Sequence, residues 1–262
     1  MIGVMLAKDL SPNTIRINTA PLMKALRKAI ERGYVTRNVA SLASKPKLVR
    51  RREPKYLDPA ESRAVLEACS AARFGDAIAL TMLLGLRRGE VLGLCWDRVV
   101  LNGERATVTI DRQMTDARQG PVAGTKTGSK GQRTIVLPKV AVPVLRRRAE
   151  RQRFDERAAE GGWRNPHSLV FTTPIGTPID PSNFGHAVGA LTERVIGRNV
   201  NPHALRHTAA TLLHEAGVSM KVAQAILGHT SSEMTSSVYT HVLDEQHDRA
   251  AAAIDDLLAC EA

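Results

Sequence analysis

A chain of 262 residues with a hydrophobic fraction of 43% can bury a core in one large domain or two modest ones, which argues against wholesale disorder. No apolar run approaches the ~18 residues of a membrane span, and the opening MIGVMLAKDL is too short and too soon charged for a secretion signal, so a cytoplasmic protein without membrane spans is expected. The formal net charge of +11 suits nucleic acid or an acidic membrane surface, and with only 3% aromatic residues to stack single-stranded bases, duplex DNA held through its phosphates is the partner that fits.

The first predicted element is a helix over 11–33. Ser11 can cap it, Pro12 suits its first turn, and Ile15, Leu22, Leu26 and Ile30 recur at helical spacing up to Gly33, which can end it. Pro21 lies inside this pattern and predicts a kink or break. From Lys45 to Lys55 the sequence turns to KPKLVRRREPK, basic and punctuated by prolines. This reads as a linker, 47–55, between a body at 1–46 and a second at 56–262, and Arg50, Arg51 and Arg52 within it are candidate DNA contacts.

The second body opens on Asp58, Pro59 and Glu61, the pattern of a capping box. Helices are predicted over 59–72, 76–84 and again after Arg88. The period then changes to two at Ala106, Val108 and Ile110, and less cleanly around Thr134 and Val136, giving two strands of a small antiparallel sheet. A Gly-, Lys- and Ser-rich segment, 119–132, joins them. An Arg-rich helix follows over 139–160, then a short apolar stretch at 169–171, then several helices from about 181. Cys69, Cys95 and Cys260 have no zinc-ligand spacing and read as small buried hydrophobes.

Four local patterns carry chemistry, and each taken singly also fits a structural residue. In Gly85-Leu86-Arg87-Arg88-Gly89-Glu90, glycine permits a sharp turn and Arg87 has a fork suited to phosphate. In Asn201-Pro202-His203-Ala204-Leu205-Arg206-His207, Asn201 and Pro202 read as N-cap and first residue of a helix. His203 and Arg206 then share a face near the positive end of the dipole, where an anion is favoured. A zinc reading of His203 and His207 fails because Ala204 stands where an HExxH protease needs glutamate. The third pattern is Leu227-Gly228-His229 at a helix end, and the fourth is Tyr239 in SSVYTHV.

Together, with His229 standing 26 positions after His203 and Tyr239 10 further on, the chain resembles the tyrosine recombinases of the phage-integrase type. Those proteins show an arginine in a GLRxGE-like segment, a lysine in a β-turn, an HxxR box, an LGH box and a tyrosine nine or ten residues later. The segment HALRHTAATLLHEAGVSMKVAQAILGH is similar to the family throughout, and the resemblance covers about 56–250. Lys126, in GTKTGSKGQRTIVLP, best matches the family's turn lysine, with Lys130 its competitor and a candidate DNA contact.

The resemblance implies a mainly α fold with a small antiparallel β-sheet (α+β). It makes 56–262 the catalytic domain and 1–46 the last part of a helical core-binding domain whose remainder, like any arm-binding domain, the chain begins too late to contain. It implies site-specific DNA integration or excision of a mobile element, with Tyr239 as nucleophile and a covalent 3′-phosphotyrosine intermediate. Arg87 and Arg206 would clamp the phosphate with His229, His203 would assist proton transfer, Lys126 would be the general acid and Glu90 a support. Neither metal, ATP nor another cofactor is expected. The tail at 251–259 is amphipathic, and for it the resemblance implies packing on a neighbouring protomer in a homotetramer on DNA, with a monomer when free; folding back on its own domain is the alternative. An inactive DNA-binding remnant and a type IB topoisomerase-like activity are the competing functions.

Overall fold

Two compact units divide the chain, Met1–Glu53 and Pro54–Ala262, in a computed structural model that describes residues 1–43, 46, 56–102, 105–124, 131–228 and 240–258, the last segment without side chains before 247. In the first unit a short helix α1 (Ile2–Ala7) precedes α2 (Pro12–Glu31). The Ser11 hydroxyl accepts from the Thr14 amide at 3.2 Å, and Pro12 occupies the first turn, so α2 starts where its cap requires. Of the kink or break expected at Pro21, the break does not occur, since α2 runs through it. The proline removes one ladder bond, but Pro21 and Ile17, whose carbonyl it frees, are both exposed, and water can take that acceptor. Gly33 is left-handed, with Tyr34 donating to the Ala29 carbonyl, and closes the helix as a glycine does after a C-cap.

The second unit begins with the capping box read from the sequence. Asp58 accepts from the Glu61 amide at 2.8 Å, Glu61 accepts from the Asp58 amide at 3.1 Å, and α3 (Pro59–Cys69) follows. Helix α4 (Gly75–Leu84) is buried at every position. An apolar helix without a polar face belongs at the centre of a domain, and α4 packs against α3, the Arg-rich α6 (Ala141–Ala158) and α8 (Pro202–Glu215). Its one buried charge, Asp76, is held by Arg147 and Arg151 of α6 at 2.7 and 3.1 Å, which fixes two of the basic residues of α6 to an internal task.

After α5 (Arg88–Leu92) come β1 (Val99–Val100), β2 (Thr107–Ile110), β3 (Arg112–Met114), β4 (Pro121–Ala123) and β5 (Arg133–Val136). The two predicted strands are β2 and β5. They pair antiparallel, Val108 opposite Ile135 and Ile110 opposite Arg133, with β1 on the other edge of β2. The separate β3–β4 ribbon was not predicted, and β4 lies within the segment read as a connection. Strands of two or three residues are too short to show a period of two.

The stretch 169–171 is buried, with Leu169 bridging to Cys95 and the chain bending at the next two residues. Both Cys69 and Cys95 are buried, and burial pushes the Cys69 thiol up to about 12. The remaining helices are α7 (Pro181–Ile196), α9 (Met220–Leu227) and α10 (Thr240–Leu258). In the single chain α10 lies on its own domain. Ile254 and Leu258 join the same core as α4, and Asp255 accepts from the amides of Lys139 and Val140 at 2.8 and 2.9 Å. Among the described residues no helix is long and apolar enough to cross a membrane.

Candidate active site

The site grows from the turn after α4. Gly85 ends that helix in the left-handed conformation, φ 61°, and a Cβ there would stand 2.2 Å from Leu227 Cδ2, so both the turn and the approach of α9 require glycine. Leu86 is fully buried and anchors the next residue, Arg87, in extended backbone ahead of α5. Glu90, in the first turn of α5, accepts from the Arg87 amide at 2.9 Å and from Arg87 Nη1 at 2.6 Å. An arginine has no acceptor to return the favour, so only the glutamate half of a capping box operates here.

Glu90 is 1% exposed and binds a second guanidinium. Arg133 of β5 donates to its two oxygens, Nη2 at 2.9 Å and Nη1 at 3.3 Å, and Arg206 Nη1 stands 3.9 Å away. Burial pushes the Glu90 carboxyl up. The hydrogen bond and charge of Arg133, with the Arg87 amide and guanidinium behind them, outweigh that effect and hold it below the usual carboxylate range.

Arg206 comes from α8, whose start is the one read from the sequence: Asn201 accepts from the Ala204 amide at 3.0 Å, and Pro202 is the first helical residue. Arg206 is 4% exposed. It donates to the Gly85 carbonyl at 2.7 Å and to the Leu227 carbonyl. Burial, followed by the like charge of Arg87, depresses its pKa to about 10, so it stays protonated at neutral pH.

The end of α9 ties the cluster together. The last carbonyls of a helix lack intrahelical donors and form the negative end of its dipole. Here Ile226 accepts from Arg133 Nε, Leu227 from Arg206 Nη2 and Gly228 from Arg87 Nη2. Three guanidinium groups thus share one carboxylate and one helix terminus, with a positive excess. Arg87, with a side chain 23% exposed, opens the cluster to solvent. Such fixed donors are suited to a phosphate group, and more so to the extra negative charge of a phosphorane-like state.

Of the residues singled out from the sequence, Arg87, Glu90 and Arg206 meet in this cluster. His203 lies on the same helix as Arg206, is exposed, and packs edge-on against His207 with ring centroids 4.5 Å apart. Arg50, Arg51, Arg52, Lys126, Lys130, His229 and Tyr239 lie outside the described residues. Arg133 was not singled out. At the head of the RTIVLP run it looks like any arginine opening a strand, and only the pairing of β5 with β2 and the approach of α9 give it Glu90 and Ile226 as partners.

The fold is thus a mainly helical domain with small antiparallel sheets that gathers three guanidinium groups around one buried carboxylate. Residues 55–246 match the model of the phage integrase family, and the chain belongs to that family. It is 31% identical to an integrase of Streptomyces ambofaciens over 89% of this chain and 61% of that protein. It is 32% identical to tyrosine recombinase XerC of Mycobacterium sp. (strain KMS) over 85% of this chain and 71% of that one. The chain thus spans about three fifths of the Streptomyces integrase. In fold it is similar to the Tn1549 transposon integrase solved with transposon right end DNA, with a TM-score of 0.69 at 21% identity over 98% of this chain and 83% of that one. It is also similar to a lambda integrase dimer bound to a COC′ core site, with a TM-score of 0.63 at 18% identity over 95% of this chain and 62% of that one.

Proposed function

We propose that this chain carries out site-specific recombination of duplex DNA by cleaving and rejoining strands through a covalent 3′-phosphotyrosine at Tyr239. The observation that carries this reading is the cluster of Arg87, Arg206 and Arg133 around the single carboxylate of Glu90. A cation-rich pocket with one anion in it is stabilised by whatever places negative charge there, and a displacement at phosphorus places most at the transition state.

In this mechanism Arg87 and Arg206 bind the non-bridging oxygens of the scissile phosphate and His229 adds a hydrogen bond. The Tyr239 oxygen attacks phosphorus as its proton leaves with the help of His203, and the bond from phosphorus to the 5′ oxygen breaks. Lys126, with Lys130 as the other candidate, supplies the proton that makes the leaving group a 5′-hydroxyl. A free tyrosine, with a pKa near 10, is a weak nucleophile at neutral pH, and neighbouring cations favour its phenolate. The covalent bond conserves the energy of the phosphodiester, so a 5′-hydroxyl of another strand can reverse the step. Glu90 orients Arg87.

Unit 1 is the helical element that would share the duplex with unit 2, assisted by Arg50, Arg51 and Arg52. The same reading places the protein in the cytoplasm, on DNA as a homotetramer, with exchange of α10 between protomers as the assembly step. A nicked suicide duplex, built on a sequence selected from a random pool by its binding to the full chain, tests the activity. A protein–DNA adduct is expected that survives denaturation and disappears in Tyr239→Phe. Absence of any adduct at every protein concentration overturns the reading and leaves a DNA-binding remnant. Adducts that relax supercoils without ever joining two sites would make it a topoisomerase instead.

A further inference from the structure

Arg133 is not one of the two arginines assigned to the phosphate, yet among the described residues its side chain donates more hydrogen bonds than either of them. Its side chain is 8% exposed. Nε donates to the Ile226 carbonyl, Nη1 to the Gly131 carbonyl at 3.1 Å and to Glu90 Oε1 at 3.3 Å, and Nη2 to Glu90 Oε2 at 2.9 Å. Its backbone is fixed by the sheet, opposite Ile110. Packing around it is tight: a Cβ on Gly228, which is left-handed at φ 67°, would stand 2.7 Å from Arg133 Nη1. The fork therefore joins β5, the first turn of α5 and the end of α9.

The charges give this joint a consequence. Glu90 has one negative charge, and three guanidinium groups surround it. A buried carboxylate without Arg133 would have to draw its compensation from Arg87 and from Arg206, now 3.9 Å away. Either shift would turn a clamp arginine toward the carboxylate and away from a phosphate. Moving Arg206 would also break its bonds to the Gly85 and Leu227 carbonyls.

We infer that Arg133 is a positioning residue for strand cleavage: by saturating Glu90 and holding the end of α9, it leaves Arg87 and Arg206 aimed and charged for the scissile phosphate. This rests on the recombinase reading of the site. The fork geometry matters as well as the charge, because a lysine ammonium cannot reach the two carboxylate oxygens and the Ile226 carbonyl from one planar group.

The test uses the full chain as wild type, Arg133→Met, Arg133→Lys, Glu90→Gln and the Arg133→Met/Glu90→Gln double variant. Duplex affinity, single-turnover adduct formation on the nicked duplex and melting temperature are measured for each. Arg133→Met is expected to bind duplex as wild type does and to form adduct about 100-fold more slowly, the size of loss that a misplaced clamp produces. Arg133→Lys is expected to recover only part of that rate. The double variant is expected to be no slower than the slower single, since both changes act through one carboxylate.

In the free protein, the guanidinium proton resonances of Arg87 and Arg206 should be slowed in exchange in the wild type and change in protection in Arg133→Met, and in Arg133→Lys should the methionine variant fail to fold. Unchanged protection in a folded variant overturns the proposal whether or not the wild type cleaves DNA. A wild-type rate in Arg133→Met, or full rescue by lysine, does so as well. Failure of the wild type to form any adduct, with protection changed as expected, would refute the recombinase reading and leave the positioning intact.

Discussion

Glu90 is the residue on which the cluster turns. It is buried, it receives bonds from Arg87 and Arg133, and removing its charge leaves guanidinium groups facing one another without an anion. Breaking a buried pair from one side costs about 3–5 kcal/mol, and Glu90→Gln is expected to lose that much in a urea titration at neutral pH. The pH dependence has a definite sign. Since the folded-state pKa of Glu90 lies below its ordinary 4.5, its contribution is complete above that value and is lost as pH falls through the depressed one. The gap in stability between wild type and Glu90→Gln should therefore narrow as the solution is acidified below about pH 4.5, and a gap constant with pH would show that Glu90 is not held as an anion. The anion-binding side of the cluster has the opposite bias. Burial and the charge of Arg87 depress the Arg206 pKa to about 10, so a phosphate oxygen brought beside it favours its charged form.

Helices bring these side chains to their places by their ends more than by their faces. Arg87 precedes α5, Gly85 follows α4, and Ile226, Leu227 and Gly228 close α9. The caps that set such ends are local and were legible in the sequence: Asp58 with Glu61, Asn201 with Pro202, and Gly228 after Leu227. Pro21 does not end its helix because a helix interior tolerates proline where the freed carbonyl faces water, which depends on what packs nearby. The strands β1, β3 and β4 escaped notice because their stability comes from partners elsewhere in the chain. For α10 the amphipathic pattern announced a buried face without saying whose core it enters. In the single chain, Ile254 enters the core shared by α4 and α8. Ile254→Ala is expected to destabilise the protein by about 2–5 kcal/mol, by the same amount at every protein concentration. A loss that grew on dilution would mean that α10 is docked on a second copy in solution.

Across the whole molecule the basic excess is 37 lysines and arginines against 26 aspartates and glutamates. Internal pairs such as Asp76 with Arg147 and Arg198 with Glu61 consume cations and anions together, so pairing cannot erase the excess. Duplex affinity is therefore expected to fall steeply with ionic strength, by about 10³-fold or more between roughly 50 and 200 mM salt if six or more phosphates are neutralised. A flat response in a filter-binding titration would mean that the excess charge does not face DNA.

By itself the sequence determined the kinds of residue available to the chemistry and the helices that carry them, because caps, periodicity and motif spacing act over a few neighbouring residues. Only the tertiary structure decided that Arg87 reaches the carbonyl of Gly228, 141 positions away, and that Arg133, 43 positions from Glu90, shares that carboxylate. The geometry of a charge cluster is set by which segments the folded core forces together, and no local pattern records that.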